Sequence, residues 1–403
     1  MLLVAAVQFV NIVDFMMVTP LGPDFALALG IPVSQLGLVT GSYTATAAVS
    51  GVVGAFFLDR FDRRPALALA LLGLVVGTAT GGFATGLGTL VGARMLAGTF
   101  GGPATSLAIS IVADTVPAER RGAAMGLVMG AFSAAAVLGV PAGLELARLG
   151  GWRLPFFALA ALGAAVAAGA FLALPAMRGH VVAHVPGDGR ARLRGLLACV
   201  PVRLQLTASG IAMMASFLVI PNLSAYFQYN LRYPRAHLGM LFVVGGLVSF
   251  VGMRISGMLV DRLGSATTAV LATVALTAVL LLGFVLELPG LPVVAVFVGF
   301  MVSQAFRNVA VSTLATRVPL PHERASFQSM QSAVQHLSSA TGAVASTRLL
   351  AEGPGRVLVG VPRLAGAAIA LGLCVPMLLK LVETRVRRRE ESLASSRLTA
   401  SGG

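Results

Sequence analysis

The sequence is poor in charge. Only 11% of its 403 residues are Asp, Glu, Lys or Arg, against about a quarter in a soluble globular protein. Acids are the scarcer sign, at 15 against 29 Lys and Arg. Two cysteines, Cys199 and Cys374, are too few for a disulfide framework, and neither has metal-ligand spacing. His180 and His184 fall in a polar gap, and His322 and His336 stand apart, so no metal site is expected. No Gly-Lys-Ser/Thr phosphate loop is present, which argues against ATP drive within the chain. No Ser-His-Asp or Cys-His arrangement reads as a nucleophile system, so the chain is not expected to be an enzyme. A basic n-region and a small-residue cleavage site are also missing, which speaks against a cleavable signal peptide. The lack of a basic leader before the first apolar run points to a start upstream of Met1.

Hydrocarbon is what the chain has in excess. Hydrophobic residues make up 57%, and mean hydropathy is +0.90. Such a chain exposes too much apolar surface to stay dispersed in water, so the bilayer is its solvent. A spanning helix needs about 20 mainly apolar residues. Twelve such runs are predicted, at 2–22, 36–58, 65–86, 88–112, 123–147, 154–175, 204–228, 237–260, 267–288, 291–315, 325–349 and 363–383. The polar gap at 177–203, with Pro186-Gly187-Asp188-Gly189 inside it, divides them six and six. The expected fold is therefore an all-α membrane protein of twelve transmembrane helices in two pseudo-symmetric six-helix bundles. The bundles take 1–176 and 204–384, 177–203 links them, and 385–403 is expected to be a disordered tail.

The net charge of +14 raises the question of nucleic acid. The basic residues do not form a face; they sit in short gaps between apolar runs, as the positive-inside rule expects. With the 177–203 gap placed inside, 19 of the 29 Lys and Arg fall in inside segments, seven in outside segments and three within helices. Both termini and the central loop are thus expected in the cytoplasm.

The two halves also repeat in detail. Asp59-Arg60 follows helix 2 and Asp261-Arg262 follows helix 8, an offset of 202 residues. Glu119-Arg120 follows helix 4 and Glu323-Arg324 follows helix 10, an offset of 204. Two matched landmarks at nearly one offset indicate duplication. Internal repeats of this kind mark transporter folds, with the binding site near the midplane between the halves.

Charges inside the runs are the candidate chemistry. Asp14 lies mid-run in helix 1. A carboxylate in hydrocarbon costs several kcal/mol unless it is paired, wet or protonated. Asp14 is therefore read as a proton carrier or a partner for a cation; the alternative is a packing acid bonded to a neighbour such as Asn11. Arg94, early in helix 4, cannot give up its proton, but it can hold an acid or a carbonyl. Arg307 in helix 10 is a cation with no first-half equivalent, and it is read either as an anion clamp or as a countercharge for Asp14. Ser303, Gln304 and Asn308 beside it give helix 10 a polar stripe suited to a cavity wall. Arg254 is expected to snorkel. In helix 5, Gly130, Gly139 and Gly143 allow close helix approach and Pro141 a bend, as in a hinge or seal.

The loop Ala55-Phe56-Phe57-Leu58-Asp59-Arg60-Phe61-Asp62-Arg63-Arg64 resembles the Gly-x-Leu-x-Asp-Arg-x-Gly-Arg-Arg/Lys loop of the major facilitator superfamily. Its Asp, Arg and basic pair match. The second copy, Gly257-Met258-Leu259-Val260-Asp261-Arg262-Leu263-Gly264, keeps both glycines and lacks the basic pair. Arg94-Met95-Leu96-Ala97-Gly98 resembles the family's Arg-x-x-x-Gly motif in helix 4, and Gly139-Val140-Pro141-Ala142-Gly143 the helix 5 signature of drug–proton antiporters. With Gly151-Trp152-Arg153, the combination is similar to bacterial drug- and sugar-efflux permeases. The resemblance implies proton coupling through Asp14 and Arg94, gating by Asp59, Arg60, Arg63, Arg64, Asp261 and Arg262, and a helix 5 hinge at Gly139, Pro141 and Gly143. It further implies a cavity lined by helices 1, 4, 7 and 10, which points to Asn11, Asn222, Tyr226, Gln304, Arg307 and Asn308.

A largely apolar wall with a few charges suits amphipathic solutes, and one Trp and four Tyr are few for a sugar site. The expected function is proton-coupled efflux of a small drug-like or metabolite solute across a bacterial inner membrane. The expected partners are that solute and the lipid bilayer, with no nucleic acid, no cofactor beyond the proton gradient, and a monomer as the working unit. A sugar or organic-anion facilitator or importer of the same fold is the alternative. A non-transporting receptor would need a ligand-binding domain outside the membrane, which the sequence lacks.

Overall fold

The computed structural model describes residues 1–57, 61–175, 195–319 and 324–401. Among these, twelve long helices cross the molecule. Inside a bilayer the backbone must satisfy its own hydrogen bonds, and the helix does so within one segment. The first half holds α1 (Leu2–Leu29), α2 (Leu36–Phe57), α3 (Arg63–Gly82) and α4 (Leu87–Thr115). Next comes α5, built from Ala118–Ala134, a π-helical turn at Ala135–Gly139 and Val140–Gly150. Leu154–Ala173 is α6. The second half opens with α7, Val200–Val219, which continues through short turns to Asn230. It goes on with α8 (Leu238–Leu263), α9 (Ser265–Leu280, extended by a π turn at Leu281–Val285) and α10 (Val293–Arg317). It closes with α11 (Arg324–Leu349) and α12 (Val361–Ser401). A two-stranded antiparallel ribbon, Ala351–Glu352 with Leu358–Val359, joins α11 to α12.

Eleven of the helices are long and apolar enough to cross a membrane. The exception, α11, has the length at 26 residues but carries Ser, Gln, Thr and His along it. It is packed between α2 and α7, where protein rather than lipid faces its polar groups. At 28 residues α1 spans about 42 Å at 1.5 Å per residue, more than the hydrocarbon core of about 30 Å. It stops at Gly30, a left-handed residue (φ 64°) whose N–H bonds Ala26 O.

Two departures from the expected boundaries concern the ends of the second half. α7 begins at Val200, before the expected linker boundary at 203. Residues 385–401, expected to be a disordered tail, instead prolong α12. Charge holds the start of that extension in place. Arg389 donates to Val318 O (2.9 Å) and Arg317 O (3.0 Å), capping the end of α10, where a cation is favoured. Glu383 accepts from the N–H groups of Ser265 (2.9 Å) and Ala266 (3.1 Å), capping the start of α9, where an anion is favoured.

The halves meet where α2 packs on α11 and on Ile220–Asn222 of α7, α1 on α7, and α5 on α8. Their contact is tightest at the end of the molecule that carries the α1–α2 connection. There Arg235 Nε donates to Asp24 Oδ1 (2.8 Å) and Oδ2 (2.9 Å), tying the start of α8 to α1. Glu352 Oε2 accepts from Val33 N (2.5 Å), tying the ribbon to the turn before α2. Gly37 lies so close to α11 that a Cβ there would overlap Ala343 O. α8 meets α5 along its π turn and Val140–Gly150, the part nearest this same end.

Candidate functional site

Asp14 and Arg94 form a buried ion pair in the first half. Neither side chain has more than 1% exposure. Arg94 Nη1 donates to Asp14 Oδ1 (3.0 Å) and Oδ2 (2.9 Å), and Nη2 to the Asp14 carbonyl (3.3 Å). Thr78 of α3 donates a third side-chain bond to Oδ1 (2.6 Å). The guanidinium lies 4.6 Å from the ring centroid of Tyr43, a cation–π contact strengthened by the dry setting. Tyr43 in turn donates to Asn11 Oδ1 (2.8 Å), and Asn11 Nδ2 donates to Gly101 O (2.9 Å) and Thr105 Oγ1 (2.6 Å). One polar network thus joins α1, α2, α3 and α4.

Helical spacing explains the convergence. Asn11 and Asp14 are three residues apart and share a face of α1. Arg94, Gly98, Gly101 and Thr105 form one stripe of α4. The glycines in it let α2 approach: a Cβ on Gly101 would overlap the Tyr43 hydroxyl and stand 2.8 Å from Asn11 Oδ1. Removing one partner of such a buried pair leaves an uncompensated charge, at a cost of about 3–5 kcal/mol.

The second half has a buried arginine in the same helix at a different level: the 204-residue offset carries Arg94 to Val298, not to Arg307. Arg307 of α10 is fully buried and reaches to α7. Its Nη2 donates to Ala212 O (3.1 Å), to Ser216 Oγ (2.6 Å) and to Gln304 Oε1. Ser216 lies 202 residues after Asp14, the offset that separates Asp59 from Asp261. The acid of the first half is therefore a hydroxyl in the second. Arg307 is not the countercharge of Asp14: that place belongs to Arg94, and the hydrogen-bond partners of Arg307 all lie in its own half.

The remaining predicted residues divide among several places. Asn11 bonds Tyr43 and α4 rather than Asp14, and the neighbours that bind Asp14 are Arg94 and Thr78. Asn222 donates to Ser346 Oγ (3.0 Å) and Leu218 O (3.3 Å), joining α7 to α11. Tyr226 points into the second bundle, donating to Gly283 O (2.6 Å) and stacking on Phe284 at 4.6 Å, so it does not line a space between the halves. Gln304 is buried on Arg307 and Asn308 is exposed.

Of the gating set, Asp59 and Arg60 lie outside the described residues. Arg63 is buried at the start of α3. Arg64 donates to Leu174 O (3.3 Å) and sits over Phe171, tying α3 to the end of α6. Asp62, which replaces the pattern's glycine, caps α3 by accepting from Arg64 N (3.0 Å). Asp261 and Arg262 are exposed at the end of α8.

The helix 5 residues surround the π turn. Pro141 has no N–H to return to the preceding turn, and π turns insert where the regular ladder is broken. A Cβ on Gly139 would overlap Val13, the neighbour of Asp14. A Cβ on Gly143 would stand 3.8 Å from Met17, and one on Gly246 of α8 would stand 3.3 Å from Ala136 O. The turn is thus wedged between α1, beside Asp14, and α8 of the other half.

Sequence reasoning missed Tyr43, Thr78 and Thr105, whose single hydroxyls look like any others in a membrane helix. It also missed Asp24, Arg235 and Glu352 at the joined end. An acid ten residues beyond Asp14, directly after Pro20 and Pro23, was the available signal for Asp24.

Comparison with known proteins agrees with this architecture. The sequence model of the Major Facilitator Superfamily matches residues 4–343 and again 205–401. A chloramphenicol resistance protein of Streptomyces lividans is 30% identical over 326 residues, covering 79% of each chain. A chloramphenicol efflux pump of Mycobacterium tuberculosis is 28% identical over 207 residues, half of each chain. Among solved structures, a D-xylose–proton symporter superposes with a TM-score of 0.76 at 15% identity, over 94% of this chain and 96% of that one. At that identity the likeness shows the fold alone. The family and its fold are those of transporters and not of enzymes. Twelve helices in two matched sixes, a buried ion pair between helices 1 and 4, and a sequence match over most of the chain lead to one assignment: the protein belongs to the Major Facilitator Superfamily and is a multi-pass membrane transporter.

Proposed function

We propose that the protein exports a small amphipathic, drug-like solute of the chloramphenicol kind in exchange for protons. The observation that carries the reading is the Asp14–Arg94 pair, buried at mid-helix and adjoining the π turn of α5. Asp14 is the group that can change charge there, because an arginine keeps its proton. A proton on Asp14 cancels its charge and frees Arg94 Nη1 from both carboxylate oxygens. The α1–α4 contact then loosens beside Val13, against which the α5 turn is seated. That turn also abuts α8, so a change at Asp14 is transmitted to the seam between the halves. The two chloramphenicol-related relatives support drug-like cargo.

The excess of Lys and Arg in one set of loops orients the chain with both termini in the cytoplasm of a bacterial cell. The joined end then faces outward, and the structure is the inward-facing member of an alternating-access pair. The working unit is the monomer, since both arginine sites and the joined end are built from one chain.

The test is transport in proteoliposomes under an imposed pH gradient. Wild-type protein is expected to move protons when chloramphenicol is added, and Asp14→Asn to move none. Solute-driven proton movement of wild-type size in Asp14→Asn would overturn the assignment of Asp14. No proton movement by wild type would make the protein a uniporter.

A further inference from the structure

We infer that a groove on the outer face of the second bundle is a binding site for the headgroup of an anionic phospholipid. The groove has a volume of about 590 Å³ and runs between α9, α10 and α12, beside the end of α8. Small-molecule sites hold about 300–1,000 Å³, so a phosphoglycerol headgroup fits. Among the described residues the lining holds three basic side chains, Arg317, Lys380 and Arg387, and a single acid, Glu383. That acid is already engaged: its two carboxylate oxygens accept from Ser265 N (2.9 Å) and Ala266 N (3.1 Å). The groove is therefore positive toward a ligand, with cations drawn from two helices, α10 and α12.

The apolar part of the surface suits a lipid rather than a free anion. Leu373, Met377, Lys380 and Arg387 recur at spacings of three, four and seven residues and so share one face of α12. Along that face the side chains change from exposed hydrocarbon, with Met377 71% exposed, to cations. α9 packs beside α12 and adds Val270 and Val274, both exposed. Acyl chains lying along these two helices bring a phosphate to the level of Lys380 and Arg387. Basic pockets between membrane helices at the bilayer surface bind anionic headgroups for this reason. α9 and α12 stand apart from the helices at which the halves meet, so the groove faces lipid. The inference does not rest on proton coupling, on the cargo or on which leaflet the groove meets.

The test uses the full chain, purified in detergent, with thermal unfolding followed as phosphatidylglycerol, phosphatidylcholine or inorganic phosphate is added at constant ionic strength. Phosphatidylglycerol is expected to raise the wild-type midpoint by about 2–4 °C relative to phosphatidylcholine, as ligand-linked stabilisation requires. Inorganic phosphate, which lacks acyl chains, is expected to have no effect. The difference between the two lipids is expected to vanish in Lys380→Gln combined with Arg387→Gln. It is expected to persist in Arg203→Gln combined with Arg385→Gln, which removes the same charge from exposed positions outside the groove. Thr267→Trp, at an exposed position in the groove, keeps every charge and takes up the space; it too is expected to abolish the difference. Equal wild-type midpoints in the two lipids would overturn the inference. So would a difference that survives loss of Lys380 and Arg387, one that disappears with Arg203 and Arg385, or a phosphate shift as large as that of phosphatidylglycerol. The readout compares two lipids on one protein, so stability lost with a substitution itself cancels. Should the Lys380 and Arg387 variant fail to fold, Thr267→Trp decides the matter.

Discussion

The two halves place an arginine of their fourth helix against their first helix, and they answer its charge differently. In the first half Arg94 meets a carboxylate, a threonine hydroxyl sits on that carboxylate, and a tyrosine ring covers the guanidinium. In the second half Arg307 meets a serine, a glutamine and a main-chain carbonyl. A duplicated scaffold thus carries one site whose charge can be switched by a proton and one whose charge is fixed. The difference separates the two bundles: the first balances its arginine with a carboxylate, and the second holds its arginine among neutral acceptors.

The largest expected effect comes from breaking the first site. Arg94→Ala leaves Asp14 buried alone and should destabilise the protein by about 3–5 kcal/mol, read as a lower thermal midpoint and loss of transport. Asp14→Leu combined with Arg94→Leu removes both charges, and buried pairs replaced by apolar residues are often neutral for stability. The double variant should recover most of the midpoint while transport stays uncoupled from protons. Full recovery of coupling would show that the pair is only structural.

Ser216→Asp makes the second site resemble the first. The new carboxylate would lie beside Nη2, where Ser216 Oγ now stands at 2.6 Å, and a charge-assisted bond is worth about 1.5–3 kcal/mol. A rise in thermal midpoint is expected, and an unchanged or lower midpoint would argue against the symmetry. Gly101→Ala tests the tyrosine that only the first site has. Its methyl overlaps the Tyr43 hydroxyl, and overpacking of this kind costs about 1–3 kcal/mol; transport should fall with stability, whereas Gly366→Ala in α12, with nothing near its Cβ, should be silent.

The smallest effect concerns the joined end. The Asp24–Arg235 pair is 24–29% exposed, and such pairs are worth about 0.2–1 kcal/mol. Asp24→Ala should therefore shift the balance toward opening of the joined end by no more than about fivefold, measurable as faster labelling of a cysteine in place of Ser34, which is buried in the turn before α2. Unchanged labelling would mean that Gly37 and its close contact with Ala343 hold the joined end without the ion pair.

Much of this was legible in the residues themselves. The apolar runs gave twelve helices because hydrocarbon leaves the backbone no other partner, and the paired landmarks after helices 2 and 8 gave the repeat. Asp14, Arg94 and Arg307 stood out because charge inside an apolar run has no cheap explanation. Their partners did not. Asn11 seemed a neighbour for Asp14 at three residues' spacing, yet its amide turns to α4 and its carbonyl to Tyr43. Tyr226 seemed a cavity residue, yet its hydroxyl finds Gly283 O inside its own bundle. The charged stretch from Arg385 looked like a tail, yet Arg389 caps the end of α10.

Composition and periodicity by themselves determined that this chain lives in a bilayer, crosses it as helices, repeats itself once and carries charges where charges are costly. Those conclusions depend on transfer free energy and helix geometry, which act on each segment alone. Only the tertiary structure decided that Arg94, and not Arg307, answers Asp14, that Ser216 occupies the acid's place in the second half, and that the halves close at the α1–α2 end. These depend on which faces of distant helices meet. That choice is made by glycines such as Gly37 and Gly101, where close approach of one particular neighbour is possible and any side chain would forbid it.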